Sequence, residues 1–111
     1  MIYQINTLGG NINNTEFEKN SAYAHRALPY LSELQTYWHL ESQTKKYEIA
    51  FEEVQKIFKQ NNILTQYRNY PDINFKDWQT AYYGNNYERL QAIKQKYDAE
   101  NIFSFEQSVK I

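Results

Sequence analysis

The side chains in this sequence that could do chemistry are mainly phenols. The 111 residues include 11 Tyr, beside 6 Phe, 2 Trp, 2 His and no Cys. Tyrosine joins an apolar ring to a polar hydroxyl, so this many tyrosines indicates partly solvated surfaces, such as an interface, a cleft or the lining of a cofactor site. A tyrosine acts as a base only where positive charge or hydrogen bonds lower its pKa from about 10.

Other kinds of reactive site find little support. His25 and His39 lie 14 positions apart with no carboxylate at ligand spacing, so we expect no metal site. The absence of cysteine excludes a thiolate nucleophile and a disulfide framework. With a net charge of −1 and a pI near 6.1, the chain has no excess of positive charge, so the sequence does not predict binding to nucleic acid or to an anionic membrane.

Length and hydropathy favour one compact domain over residues 1–111. With 41% hydrophobic residues the chain can build a core. No run approaches the roughly 20 apolar residues that cross a bilayer, and the start, Met-Ile-Tyr-Gln, lacks a signal-peptide pattern. We therefore expect a cytoplasmic protein.

The first half of the sequence predicts strands followed by a long helix. Residues 1–8 and 21–27 are typical of short strands, separated by an Asn-rich loop over 11–20. Residues 33–40 alternate between two faces, as a half-buried antiparallel strand does. Apolar residues at helical spacing predict a helix over 43–60.

The second half predicts an extended piece over 63–70 and two short helices over 75–82 and 86–97. On an extended piece, Tyr67 and Tyr70 would point to opposite sides of the chain unless a bulge intervenes, so they need not share a role. The fold class is therefore α+β: a small antiparallel sheet, one long helix packed on it and two short C-terminal helices. The open sheet face and the apolar tail both require another surface, which indicates a fragment of a larger protein.

Strand 33–40 carries a polar face with hydrogen-bonding and aromatic side chains. Gln35 and Tyr37, with Glu33, could line a substrate cavity. The alternative is an ordinary solvated sheet face, and the pattern alone does not choose between them.

The last third of the sequence carries a specific motif. Residues 82–108 read YYGNNYERLQAIKQKYDAENIFSFEQS, which closely resembles the C-terminal signature of the berberine-bridge-enzyme-like FAD-linked oxidases. The matching residues are Tyr83, Gly84, Asn86, Tyr87, Arg89, Leu90, Lys94, Lys96, Asp98, Asn101, Phe103, Gln107 and Ser108. Ala99 departs from the family, which usually has proline there.

Two upstream motifs extend the resemblance over nearly the whole chain. Residues 67–72, YRNYPD, resemble the family's strand end of the form tyrosine-x-asparagine-tyrosine-x-aspartate. Gly9-Gly10, then Ala24-His25-Arg26 and later Trp38, resemble its glycine-pair loop and histidine-arginine strand.

The resemblance implies the C-terminal part of an FAD-dependent oxidase acting on an alcohol, a sugar or a similar small substrate. By position in the motif Tyr70 would be the catalytic base, with Tyr67 and Asn69 near the flavin. Residues 1–70 would belong to the substrate domain, and residues 71–111 would pack on an FAD-binding domain that this sequence does not contain. The chain alone is then expected neither to bind FAD well nor to turn over.

Other interpretations remain open at this point. Tyr67 and Tyr70 could simply pack, with their hydroxyls on backbone or water. The whole chain could be a non-catalytic interaction module that forms a homo-oligomer through exposed aromatic surface. A carbohydrate-binding piece that stacks sugars on tyrosines is a third interpretation.

Overall fold

The computed structural model describes all 111 residues, and they form two compact units. Unit 1 consists of Met1–Thr7 and Tyr30–Leu64, and unit 2 consists of Leu8–Pro29 and Thr65–Ile111. Each unit is therefore assembled from two stretches that are distant in sequence.

Unit 1 contains the only sheet, which has two antiparallel strands. Strand β1 (Ile2–Thr7) pairs with strand β2 (Tyr30–Gln35), with Ile2 opposite Gln35 and Thr7 opposite Tyr30. The prediction of a strand over 33–40 is thus only partly correct, since β2 begins earlier and ends at Gln35. This register leaves residues 36–40 beyond the paired part of β1, so they have no ladder to join.

A long helix follows β2 in the same unit. Helix α1 (Thr44–Gln60) follows a 3₁₀ turn at Glu41–Gln43, close to the predicted 43–60. It contacts the sheet through the rings of Tyr3 and Phe58, whose centroids lie 5.4 Å apart. The helix ends as predicted at the two asparagines, because Asn61 Nδ2 donates to the Ile57 carbonyl and Asn62 adopts a positive φ of 60°. The α+β fold class is confirmed.

Unit 2 contains two shorter helices and a long N-terminal loop. Helices α2 (Trp78–Tyr83) and α3 (Tyr87–Tyr97) are joined by a 3₁₀ turn at Gly84–Asn86. They correspond to the predicted helices over 75–82 and 86–97. The predicted loop over 11–20 instead contains two 3₁₀ segments, Gly10–Asn13 and Thr15–Asn20.

The predicted strand over 21–27 is wrong. The chain turns there, with the Leu28 N–H donating to the His25 carbonyl at 3.1 Å. Side chains satisfy neighbouring carbonyls in place of a strand partner: Asn13 Nδ2 donates to the carbonyls of Arg26 and Leu28. These bonds come from a side chain that is distant in sequence, and they satisfy carbonyls that a strand partner would otherwise have to satisfy.

The core of unit 2 mixes apolar and polar side chains. Trp78, Ala81 and Tyr82 of α2 are buried, and so are three polar residues, His25, Gln107 and Ser108. Buried polar groups are retained where hydrogen bonds satisfy them. The hydrogen bonds of His25 and Gln107 reach the backbone of Gln66 and Asp72, which flank the predicted site residues Tyr67, Asn69 and Tyr70.

No helix in the structure is both long enough and apolar enough to span a membrane.

Candidate active site

The segment that carries Tyr67, Asn69 and Tyr70 is a tight turn rather than an extended strand. The N–H of Tyr70 donates to the carbonyl of Tyr67 at 2.9 Å, which closes the turn. The two rings meet edge to face, with centroids 5.2 Å apart and planes at 90°. The expectation that they point to opposite sides is therefore wrong, because the turn reverses the chain between them.

Asn69 joins the same cluster through its side chain. Its Nδ2 donates to the hydroxyl oxygen of Tyr67 at 2.9 Å. Tyr70 keeps 41% of its surface exposed, whereas Tyr67 is half-buried. The turn thus presents one accessible phenol beside a second phenol that a primary amide holds in place.

The loop 21–28 supports this turn from another side. The ring of Tyr23 contacts Tyr67 edge to face, with centroids 6.3 Å apart, and also contacts His25. His25 Nε2 lies 3.1 Å from the carbonyl oxygen of Gln66, the residue before Tyr67. A buried imidazole that donates to this carbonyl fixes the entry to the turn.

Tyr23 carries a perturbed phenol that is not suited to be the base. Burial raises the pKa of Tyr23, the neighbouring Tyr67 adds to the increase, and the Arg26 guanidinium only partly opposes it. The Arg26 guanidinium carbon lies 5.4 Å from the centre of the Tyr23 ring. At neutral pH Tyr23 therefore stays protonated, so it can donate a hydrogen bond but cannot readily accept a proton.

Helix α2 holds both ends of the turn with adjacent residues. The carbonyl of Ala81 accepts from the N–H of Gln66 at 3.0 Å. The hydroxyl oxygen of Tyr82 accepts from the N–H of Asp72 at 3.3 Å. Because the two anchors belong to one helical turn, the entry and the exit of the Tyr67–Tyr70 turn are fixed to the same rigid element.

Arg68, within the turn, places a positive charge against aromatic surface. Its Nε donates to the Tyr83 hydroxyl at 3.1 Å, and its guanidinium carbon lies 5.1 Å from the ring centre of Phe105 and 5.9 Å from that of Tyr82. Such stacking contributes through cation–π attraction and through burial of the side-chain stem. The charge faces the core of unit 2 rather than solvent alone.

The other two predicted site residues lie in unit 1. The Tyr37 hydroxyl donates to Gln35 Oε1 at 2.7 Å, and 66% of Tyr37 is exposed. The two side chains form a polar pair at the end of β2. Their role in binding a substrate stays a prediction, since they belong to a different compact unit from the Tyr67–Tyr70 turn.

Sequence reasoning missed the residues that support the turn, namely Tyr23, Arg68 and Tyr82. Arg68 stands inside the YRNYPD motif and Tyr23 directly precedes Ala24-His25-Arg26, so both adjoin signals that were already visible. In the sequence, Tyr82 is visible only as an apolar position of the predicted helix over 75–82. The structure contains no group of three or more His, Asp or Glu residues that could hold a metal ion.

Comparison with known proteins matches the segment that contains this site. The family described as "Berberine and berberine like" matches residues 66–110. An FAD-linked oxidoreductase of Bacillus subtilis strain 168, YgaK, is 50% identical over 46 residues, which is 41% of this chain and 10% of that protein. A second one from the same strain, YvdP, is 34% identical over 101 residues, covering 91% of this chain and 22% of that protein.

A fungal relative has a more specific name. The chitooligosaccharide oxidase of Gibberella zeae is 44% identical over 46 residues, or 40% of this chain and 9% of that protein. No solved structure matches the chain. The chain spans about a fifth or less of the length of these relatives. Residues 66–110, the segment that carries the Tyr67–Tyr70 turn, thus belong to the berberine-like family, and the relatives that the chain matches are named FAD-linked oxidoreductases.

Proposed function

We propose that this chain is part of an FAD-dependent oxidoreductase and contributes Tyr70 as the base that takes a proton from the substrate. The observation that carries the proposal is the turn itself. One accessible phenol, Tyr70, is held edge to face against Tyr67 within the segment that matches the family. An exposed hydroxyl on a fixed backbone can reach a substrate hydroxyl without rearrangement.

The residues of the turn fit the edge of a flavin ring system but not a complete FAD. The rings of Tyr67 and Tyr70 offer aromatic surface, and the Asn69 amide can both donate and accept hydrogen bonds. A diphosphate needs a glycine-rich loop at a helix N-terminus, and the three glycines, Gly9, Gly10 and Gly84, do not form one. We therefore infer that a separate FAD-binding domain holds the cofactor and that this chain completes the site.

The chemistry assigns one task to this chain and another to the cofactor. When bound, FAD supplies the acceptor for the hydride that leaves the oxidised carbon of the substrate. The Tyr70 oxygen takes the proton of the substrate hydroxyl, so that the carbon–oxygen bond becomes a carbonyl. Tyr67 packs against the Tyr70 ring, Asn69 holds the Tyr67 hydroxyl, and both residues border the flavin.

The substrate we propose is an alcohol or a sugar hydroxyl. The chitooligosaccharide oxidase among the relatives supports the sugar class. The exposed Gln35–Tyr37 pair supports it too, because an amide beside an aromatic ring is a common surface for a hydroxylated ligand. These two residues are the proposed substrate-binding residues of this chain.

The test compares the chain alone with the chain joined to its FAD-binding domain. The purified 111-residue chain is expected to show no flavin absorption band, and the joined protein is expected to show one. In the joined protein, Tyr70→Phe should lower kcat by about 100-fold or more, while the flavin content stays the same. Tyr30→Phe, which removes an exposed hydroxyl in β2, serves as the matched control.

Two results would contradict this proposal. A flavin band on the chain alone would remove the need for a separate cofactor-binding domain. An unchanged kcat in Tyr70→Phe, with full flavin content, would show that Tyr70 is not the base.

A second candidate function is a non-catalytic interaction module that associates with itself. Large apolar side chains are exposed in the C-terminal tail, where Ile102 and Phe103 are 72% and 78% exposed. In β1, Ile2 and Ile5 are also more than half exposed. Sedimentation of the purified chain at several concentrations decides this candidate, since a monomer throughout would count against it.

A further inference from the structure

We propose that Tyr82 and Gln107 are positioning residues for Tyr70, which they hold from inside the core of unit 2. This inference rests on the proposed function, in which Tyr70 is the base. Neither residue touches Tyr70 directly. Both act on the backbone that leaves the Tyr67–Tyr70 turn.

Hydrogen bonds connect the Tyr82 hydroxyl, the Gln107 side-chain amide, and the backbone N–H and carbonyl of Asp72. The Tyr82 hydroxyl donates to Gln107 Oε1 at 2.9 Å and accepts from the N–H of Asp72 at 3.3 Å. Gln107 Nε2 donates to the carbonyl of Asp72 at 2.7 Å and lies 3.4 Å from that of Phe75. Both the N–H and the carbonyl of Asp72 are thus held by the same pair of side chains.

Proline transmits this restraint to Tyr70. Pro71 is the one residue between Tyr70 and Asp72, and its ring fixes φ near −65°. It also restricts the backbone of Tyr70, the residue that precedes it. Few dihedral angles are therefore free between the fixed Asp72 backbone and the Tyr70 side chain.

The burial of these polar groups indicates that their role is specific. Tyr82 is 2% exposed and Gln107 is 6% exposed. Burying a hydroxyl and a primary amide costs free energy unless each finds its partners, and apolar residues would fill the same space without that demand. What the polar pair adds is a defined position for the Asp72 backbone, and through it for Tyr70.

The network also makes the C-terminal tail part of the site. Gln107 stands 37 positions after Tyr70 in the sequence and belongs to the tail that follows α3. The tail therefore contributes to the placement of Tyr70.

A double-mutant cycle in the protein joined to its FAD-binding domain tests this inference. Tyr82→Phe keeps the ring and removes the hydroxyl, and it should lower kcat about 10-fold with little change in KM, since a displaced base misses its geometry. In a Tyr70→Phe background the same change should lower kcat by less than about twofold, because there is no base left to position. Equal losses in both backgrounds would overturn the inference.

Amide hydrogen exchange gives a readout that does not depend on activity. Tyr82→Phe should speed exchange at the Asp72 amide, which loses its acceptor. Tyr87→Phe is the matched control, because its hydroxyl also accepts from a backbone N–H, but the donor is Lys110 in the tail, at 3.1 Å, rather than Asp72. Unchanged exchange at Asp72 in Tyr82→Phe would also overturn the inference.

The two proposals fail in different ways. If Tyr70→Phe alone retains full kcat, the assignment of Tyr70 as base fails. If Tyr70→Phe is impaired but Tyr82→Phe is equally harmful in both backgrounds, only the positioning role fails. Should Tyr82→Phe not fold, Gln107→Met takes its place in the cycle, since it removes the amide and keeps the length of the side chain.

Discussion

The Nε of Arg68 lies 3.1 Å from the hydroxyl oxygen of Tyr83 and donates to it. The bond connects the second residue of the Tyr67–Tyr70 turn to the last residue of α2. The same guanidinium stacks on Phe105 from the C-terminal tail. One side chain therefore joins three segments of unit 2, and its planar, multi-donor group suits that task better than an ammonium group does.

Arg68→Lys should destabilise unit 2 although it keeps the charge. The substitution loses the Nε–H donor and most of the stacking on Phe105, and we expect unfolding to become easier by about 1–2 kcal/mol. The measurement is urea denaturation followed by tryptophan fluorescence. A Trp38→Phe background leaves Trp78, which is buried in unit 2, as the sole reporter.

The matched control for this prediction is Arg89→Lys. Arg89 also donates through its guanidinium, from Nη1 to the Lys19 carbonyl at 3.2 Å, but the bond is exposed. We expect a change below about 0.5 kcal/mol there. Equal effects at the two positions would mean that the stacking of Arg68 adds nothing to stability.

Gly84→Ala should destabilise the junction between α2 and α3. Gly84 has φ 51° and ψ −132°, which side chains with a Cβ rarely adopt. An added Cβ would also meet the Cβ of Ala24 at 3.4 Å. We expect a loss of about 1–3 kcal/mol. Gly9→Ala is the control, because Gly9 is extended at φ −167° with open space around its Cα, and thermal melting of both variants makes the comparison.

Helices were the part of the fold that the sequence predicts best. The stripe that includes Tyr47, Phe51, Val54 and Phe58 repeats at helical spacing within the 17-residue helix α1, and a pair of asparagines ends the helix. Such a signal is local, so it needs no knowledge of the partner surface. The strand over 21–27 was wrong because its composition fitted a strand while the decisive hydrogen bonds come from distant side chains, such as those of Asn13 and Asn86.

In the candidate site, too, the sequence predicts the local features and does not predict the contacts between residues that are distant in sequence. The motif around Tyr70 is contiguous and was visible in the sequence. The contact between Tyr67 and Tyr70 was not, because it depends on a turn that the pattern of an extended piece does not reveal. The supports from Tyr23 and Gln107 are separated from the turn by tens of residues, and spacing alone gives no sign of them.

The ion pair between Lys94 and Asp98 predicts a pH dependence of stability. A hydrogen bond from Lys94 lowers the pKa of Asp98, helped by the N–H groups of Ile102 and Phe103, which outweigh the opposing effect of burial. A lowered folded-state pKa stabilises the fold above the unfolded value of about 3.8, and this contribution is lost as the pH falls through the folded value.

Asp98→Asn should therefore melt at a lower temperature than the parent at pH 7, and the difference should shrink as the pH falls below 3.8. Melting curves from pH 2 to pH 7 give the measurement. Glu53→Gln removes an exposed ion pair with Lys56 and should leave the melting temperature at pH 7 nearly unchanged. A difference between Asp98→Asn and the parent that stays constant across the pH range would contradict the role of the Asp98 charge.

The last prediction concerns Tyr23 at alkaline pH. Burial and the neighbouring Tyr67 raise the pKa of Tyr23, so the folded state binds this proton more tightly than the unfolded state does. The sign is then opposite to that of Asp98: the stabilising contribution is present below the ordinary value of 10.0 and is lost as the pH rises through the folded value.

Tyr23→Phe removes this titration but keeps the ring against Tyr67 and His25. The stability of the parent should fall relative to that of Tyr23→Phe as the pH rises above 10, because only the parent must ionise or expose a phenol there. Denaturation at pH 8 and at pH 11, together with phenolate absorbance in each variant, makes the comparison. A stability difference that is the same at both pH values would show that the Tyr23 hydroxyl is not held in its protonated form by the fold.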